Sequence, residues 1–233
     1  MEQENKNLTK PAVILLDVYE TLLDMSDVEK RVNNLMDSKR GYTLWFELFM
    51  QYCFVDNCTG QFNSFSSIAS ATMQMTGKML GKKIPDDEIS SILELLKHLP
   101  VQDGVPKGLS LLNDQGFRIA ALTNSPEQTV MDRMEMSGLV SFFEVVLSAE
   151  RIKKYKPCIE VYEWAAEKLK VQPHDILLVS AHGWDIAGAA NAGMQTAYIE
   201  RSNQMLYPLA PPPFIVAKNL ENMAQLIQSA YSA

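Results

Sequence analysis

The chain is poor in cysteine, with three in 233 residues: Cys53, Cys58 and Cys158. An odd number without metal-ligand spacing excludes a disulfide framework and fits reduced thiols packed as small apolar groups. Apolar residues make up 47% of the chain, yet no stretch approaches the roughly 18 consecutive apolar residues of a spanning helix, so no membrane association is expected. A basic excess is also missing. The 21 Lys and Arg face 28 Asp and Glu, a formal net charge of −7, which argues against nucleic-acid and anionic-membrane partners. A small anionic substrate stays compatible, because one lysine and a ring of backbone N–H groups can hold a carboxylate or phosphate inside an acidic protein. The N-terminal stretch from Met1 to Asn7 has no basic segment leading into an apolar one, so no secretory signal is read and a cytoplasmic location is expected. Internal repeats and low-complexity tracts are absent.

What is present begins with an apolar strand, Pro11 to Leu16, that stops at one carboxylate, Asp17. A carboxylate at the end of a buried strand sits on rigid scaffold, stays ionised beside turn N–H groups, and can attack an electrophile. A helical block follows to about Leu99, with Tyr42, Trp45, Phe49 and Cys53, then Phe65, Ile68, Thr72, Met75 and Met79, then Ile89, Leu93 and Leu96 at helical spacing. The methionines read as core gap-fillers, and Trp45, Phe46, Phe49 and Phe65 as the core of this insert. From Gly104 onward helices and strands alternate, with strands near 117–122, 144–147, 176–179 and 195–199. Apolar strands joined by amphipathic helices imply parallel pairing through right-handed crossovers. The expected fold is therefore α/β, a doubly wound three-layer parallel sheet of Rossmann-like form, with residues 1–23 and 100–233 as the core and 24–99 as an inserted all-helical cap. In such sheets reactive groups gather at the carboxyl ends of strands. Here those ends carry Asp17, Thr123-Asn124-Ser125, Ser148, and Ser180 to Asp185.

Four spaced motifs together resemble the haloacid dehalogenase superfamily: Asp17, Thr123, Lys156 before Pro157, and Asp185. Phosphatases of that superfamily carry Asp-x-Asp in the first motif, where the second acid protonates the leaving oxygen. Asp17-Val18-Tyr19-Glu20-Thr21 instead resembles the (S)-2-haloacid dehalogenases, whose halide needs no proton. Tyr162 and the segment Ser180-Ala181-His182-Gly183-Trp184-Asp185 are similar to that subgroup as well. The resemblance implies a hydrolase in which Asp17 displaces halide to form an ester that water then hydrolyses at the aspartyl carbonyl. It makes Asp17, Thr21, Lys156, Ser180 and Asp185 the catalytic set, with Asp185 promoting deprotonation of water. Tyr19, Thr123, Asn124, Tyr162 and His182 become the substrate-binding set, Thr123 and Asn124 for the substrate carboxylate. The implied substrate is a small 2-halocarboxylate, and a homodimer is a family-based expectation.

Departures from the pattern keep alternatives open. The cap arginine of the family falls on Met36 when the chains are aligned on Tyr42, with Arg31 and Arg40 nearby. His182 replaces an Asn and Glu20 a Gly; a histidine beside the nucleophile would make activity depend on pH near 6 to 7, by its unperturbed value of about 6.5. Ala181 stands where a magnesium phosphatase of this fold carries a further carboxylate, so no metal cofactor is expected. The alternatives are a phosphatase acting on a phosphate ester with Mg²⁺ on Asp17 and Asp185, and a non-catalytic binding protein.

Overall fold

The computed structural model describes residues 9–231; the N-terminal stretch read above for a leader lies outside them. The central strand β1, Val13–Leu16, is wholly buried. Its side chains alternate as a pleated strand requires: Ile14 and Leu16 join the core on one face of the sheet, Val13 and Leu15 that on the other. The other strands are β2 (Arg118–Thr123), β3 (Val145–Ser148), β4 (Ile176–Ser180), β5 (Gln195–Ile199) and β6 (Ile215–Ala217). They pair in parallel in the order β3-β2-β1-β4-β5-β6. The chain winds outward through β2 and β3, then returns to β4 on the opposite side of β1. That reversal makes β1/β4 the switch point, where a crevice opens at the carboxyl ends of the strands. The fold is the doubly wound α/β sheet expected from the sequence.

Between β1 and the next helix of the sheet region lie α1 (Ser26–Met36), α2 (Gly41–Thr59), α3 (Phe65–Met79) and α4 (Asp86–Leu95), followed by the short 3₁₀ turn Leu96–His98. Trp45, Phe49 and Cys53 on α2 are buried, and the Trp45 indole N–H donates to the Ala69 carbonyl of α3 at 3.0 Å. Ser64 caps α3 by accepting from the Ser67 N–H at 3.2 Å. The buried stripe of α3 differs from the expected one. Ile68, Thr72, Met73, Thr76 and Gly77 face inward, while Met79 is 66% exposed. Gly77 explains the turn: a Cβ there would lie 2.4 Å from the Ile84 side chain, so the helix packs its glycine side against the following loop.

The remaining helices are α5 (Val105–Asp114), α6 (Glu127–Met136), α7 (Ile159–Leu169), α8 (Gly183–Asn191) and α9 (Leu220–Tyr231). Helix α6 begins after Pro126, and α8 starts two residues before the expected Asp185, so that Asp185 lies inside its first turn. Strand β6 and helix α9 have no counterpart in the sequence reading. The Pro-rich crossing before them masks a three-residue edge strand, and α9 packs on α5.

Candidate active site

Asp17 follows β1 directly, at the switch point, and both of its oxygens are engaged. Oδ1 accepts from Lys156 Nζ at 2.8 Å. Oδ2 accepts from Thr21 Oγ1 at 2.7 Å and, at a longer 3.4 Å, from Ser180 Oγ, and it lies 3.0 Å from His182 Nδ1. Burial raises the Asp17 pKa, but the Lys156 charge and the hydrogen bond and charge of His182 outweigh it and hold the carboxyl well below the usual range. Thr21 Oγ1 in turn accepts from the Ala181 N–H at 2.9 Å, tying the loop after β1 to the loop after β4.

Lys156 is buried with its ammonium on Asp17, on Asp185 Oδ2 at 2.7 Å and on the Leu122 carbonyl at 3.0 Å. Burial lowers its pKa; the charges of Asp17 and Asp185 more than offset this and raise it. Asn124 fixes the backbone of Lys156 from both sides, accepting its N–H at 2.7 Å and donating to its carbonyl at 3.3 Å. The amide expected to hold a substrate carboxylate thus also positions the lysine, with one Nδ2 hydrogen still free of these contacts at the cleft it lines. Thr123 Oγ1 accepts from the Ser125 N–H at 3.1 Å, which leaves its own proton to donate toward the cleft it lines.

Two expected placements change. Asp185 was the expected partner of the hydrolytic water, yet it is buried, outside the cleft lining, with Oδ2 on Lys156 and Oδ1 accepting from Tyr162 at 2.7 Å. Tyr162, expected to touch substrate, lies beneath Asp185 instead, and Gly188 of α8 makes room for it. A Cβ on Gly188 would sit 2.6 Å from the Tyr162 hydroxyl. Asp185 holds Lys156, and Tyr162 holds Asp185.

A cleft opens over Asp17, lined by Tyr19, Thr123, Asn124, Lys156 and His182 at its polar end. Met25, Trp45, Phe46, Phe49, Met50, Phe65, Leu96 and Trp184 form its apolar remainder. The four aromatics read as insert core therefore serve as cleft wall too. Tyr19 shares a 3.1 Å hydrogen bond with Ser125 Oγ, and burial raises its pKa, so it is a poor acid. No arginine lines the cleft among the described residues. Met36 is buried on α1, Arg31 pairs with Glu88, and Arg40 is exposed.

His182 and Glu20, two separate departures in the sequence, meet in space. His182 Nε2 lies 2.9 Å from Glu20 Oε2, and the ring stacks on Trp184 at 4.9 Å and Phe46 at 5.8 Å between centroids. Burial lowers the imidazole pKa, but the hydrogen bonds and charges of Asp17 and Glu20 prevail and raise it to about 10. That overturns the expected titration near 6 to 7. Glu20 also accepts from Tyr42 at 2.9 Å and Gln204 at 2.6 Å, and its backbone stands at φ 58, which disfavours a side-chain-bearing residue by about 1–2 kcal/mol. Its role was hidden because no local pattern joins positions 20 and 182; the signal was that both depart from one family pattern together.

Asp17 and Asp185 fit Mg²⁺ poorly. The Lys156 ammonium already stands between them, and among the described residues no group of three or more His, Cys, Asp and Glu is placed to hold an ion. Among those residues no helix is long and apolar enough to cross a membrane.

Residues 35–199 match the haloacid dehalogenase-like hydrolase family. The (S)-2-haloacid dehalogenase of Pseudomonas sp. (strain YL) is 25% identical over 93% of this chain and 94% of its own. Haloacetate dehalogenase H-2 of Moraxella sp. (strain B) is 27% identical over 94% and 99%. An L-2-haloacid dehalogenase from Xanthobacter autotrophicus, solved with chloropropionic acid covalently bound, superposes with a TM-score of 0.83 at 19% identity, covering 94% of this chain and 98% of that one. The family match extends from within α1 to the end of β5, so that it takes in the lysine, the strand-end hydroxyls and Asp185: the chain belongs to the haloacid dehalogenase-like hydrolases and is an enzyme of hydrolase type.

Proposed function

We propose that this hydrolase removes halide from a small 2-halocarboxylate without a metal, through an ester on Asp17. The observation that carries the reading is a buried, ionised Asp17 facing a largely apolar cleft in which a tyrosine, Tyr19, stands where a second carboxyl would protonate a leaving oxygen. Lys156, Thr21 and His182 orient the carboxylate, and Tyr19, hydrogen-bonded to Ser125, is made a weaker acid by burial. Asp17 attacks the halogen-bearing carbon, the carbon–halogen bond breaks, and halide departs as a stable anion. The aromatic and methionine wall takes the halogen and alkyl groups. Thr123 donates to the substrate carboxylate, and Asn124 serves it indirectly by holding Lys156. In this reading residues 24–99 act as the cap and the remainder as the core. Ser180 supports the turn by accepting from the His182 N–H at 3.1 Å.

The covalently bound chloropropionic acid in the Xanthobacter enzyme supports the ester. A panel tests the reading: halide release from (S)-2-chloropropionate in EDTA, and phosphate release from an aryl phosphate with and without Mg²⁺. Halide release in EDTA is expected. Metal-dependent phosphate release without halide would transfer the protein to the phosphatases of the same fold.

A further inference from the structure

The peptide joining Tyr155 to Lys156 is gripped on both sides by asparagines from different parts of the fold. Its carbonyl accepts from Nδ2 of Asn57, on α2, at 2.7 Å, and its N–H donates to Oδ1 of Asn124, just after β2, at 2.7 Å. Each side chain closes a second bond on the same residue: Asn57 Oδ1 accepts from the Tyr155 N–H at 2.9 Å, and Asn124 Nδ2 donates to the Lys156 carbonyl at 3.3 Å. We propose that Asn57 is a positioning residue for Lys156, so that the lysine is set only where the inserted helices are docked on the sheet. The assignment rests on the halide-releasing reading above, in which Lys156 orients the nucleophile.

A side-chain amide that both donates to and accepts from one residue restrains its backbone as a neighbouring strand would. Tyr155 is fully buried, and the segment between α2 and α3 packs around it. Its hydroxyl donates to the Asn63 carbonyl at 2.5 Å, its ring lies 5.5 and 6.1 Å from those of Phe62 and Phe65, and Asp56 holds the turn by accepting from the Asn63 N–H at 2.7 Å. Glu150, from the turn after β3, accepts from the Phe65 N–H at 3.0 Å. Phe65 and Lys156 both line the cleft, so one contact region sets the apolar wall and the ammonium together. Asn57 does not line that cleft, and its effect reaches the reaction through the Tyr155–Lys156 peptide. Without Asn57 the peptide keeps only Asn124 and the Cys158 N–H, which donates to the Tyr155 carbonyl at 3.0 Å. The ammonium then loses part of the restraint that keeps it 2.8 Å from Asp17.

First-turnover halide release at saturating (S)-2-chloropropionate and amide hydrogen exchange by NMR test this on wild type, Asn57→Ala, Asn57→Asp and the control Ser64→Ala, at a temperature where each is folded. Asn57→Ala should release halide about 10–100-fold more slowly per folded molecule, the cost of a group misplaced by about 1 Å, with half-saturation nearly unchanged. The Lys156 amide, bonded to Asn124 and not to Asn57, should exchange about tenfold faster. Asn57→Asp keeps the shape and the acceptor but loses the donor, and should move both readouts in the same direction; it decides the matter if the alanine variant fails to fold. Ser64→Ala loses the cap of α3 in the same segment and should lower the melting point while moving neither readout. Asn57 variants that release halide at the wild-type rate per folded molecule, a Lys156 amide as protected as in wild type, or a Ser64→Ala that moves both readouts as far as Asn57→Ala would each overturn the proposal. No halide from wild type defeats the dehalogenase reading alone, and the Lys156 amide still decides whether Asn57 sets the lysine.

Discussion

Replacing Lys156 by Met keeps most of the side-chain volume and removes one buried charge. Lys156 is 1% exposed and is held by two carboxylates at 2.8 and 2.7 Å and by a carbonyl at 3.0 Å. Deleting one member of a buried ionic group leaves its partners charged and desolvated, which costs about 3–5 kcal/mol. Asp17 keeps His182 as a cationic neighbour, whereas Asp185 keeps only the Tyr162 hydroxyl, so most of the loss falls on Asp185. For a chain of this size that corresponds to a melting point about 10 °C lower. The sign with pH follows from Asp17, whose pKa burial alone would raise and Lys156 lowers. Its contribution is present above the unfolded carboxylate value of about 3.9 and is lost as pH falls. Urea unfolding of wild type and Lys156→Met at pH 8, 4 and 2.5 should therefore give a gap that holds from pH 8 to 4 and narrows below it. A gap below about 1 kcal/mol at pH 8, or one that widens toward pH 4, would refute the assignment of Lys156 as the electrostatic centre of the site.

Three further outcomes are expected. Gly188→Ala, whose Cβ would meet Tyr162 and Pro157 at 2.6 Å, should destabilise the fold by about 1–3 kcal/mol and lower the rate of halide release, read by thermal unfolding and halide assay. Tyr162→Phe removes a donor to a buried carboxylate and should cost about 1–3 kcal/mol in the same unfolding assay while leaving substrate affinity nearly unchanged. Because burial lowers the His182 pKa but Asp17 and Glu20 raise it to about 10, its contribution to stability is whole below about pH 6.5 and lost as pH rises to about 10. The stability gap between wild type and His182→Asn should close across that window, and the first halide released should show no inflection near 6.5.

The sheet was legible because its strands are short apolar runs separated by amphipathic helices, and because Asp17, Thr123 and Ser180 stand where those runs end. Lys156 was legible through the proline after it. Periodicity could not say which face of α3 turns inward, since a glycine contact at Gly77 decided it. Nor could spacing place Asp185 under the lysine instead of over the ester, because that depends on how far α8 extends and on the room Gly188 leaves for Tyr162. The Glu20–His182 contact spans 162 positions, a distance at which local patterns carry no information.

A covalent ester on Asp17 leaves an isotopic trace in a single turnover in H₂¹⁸O. With enzyme in excess over (S)-2-chloropropionate, the 2-hydroxy acid should carry unlabelled oxygen, and the peptide containing Asp17 should gain one ¹⁸O, located by tandem mass spectrometry. Label in the product with Asp17 unlabelled would mean that water displaces halide directly and that no ester forms.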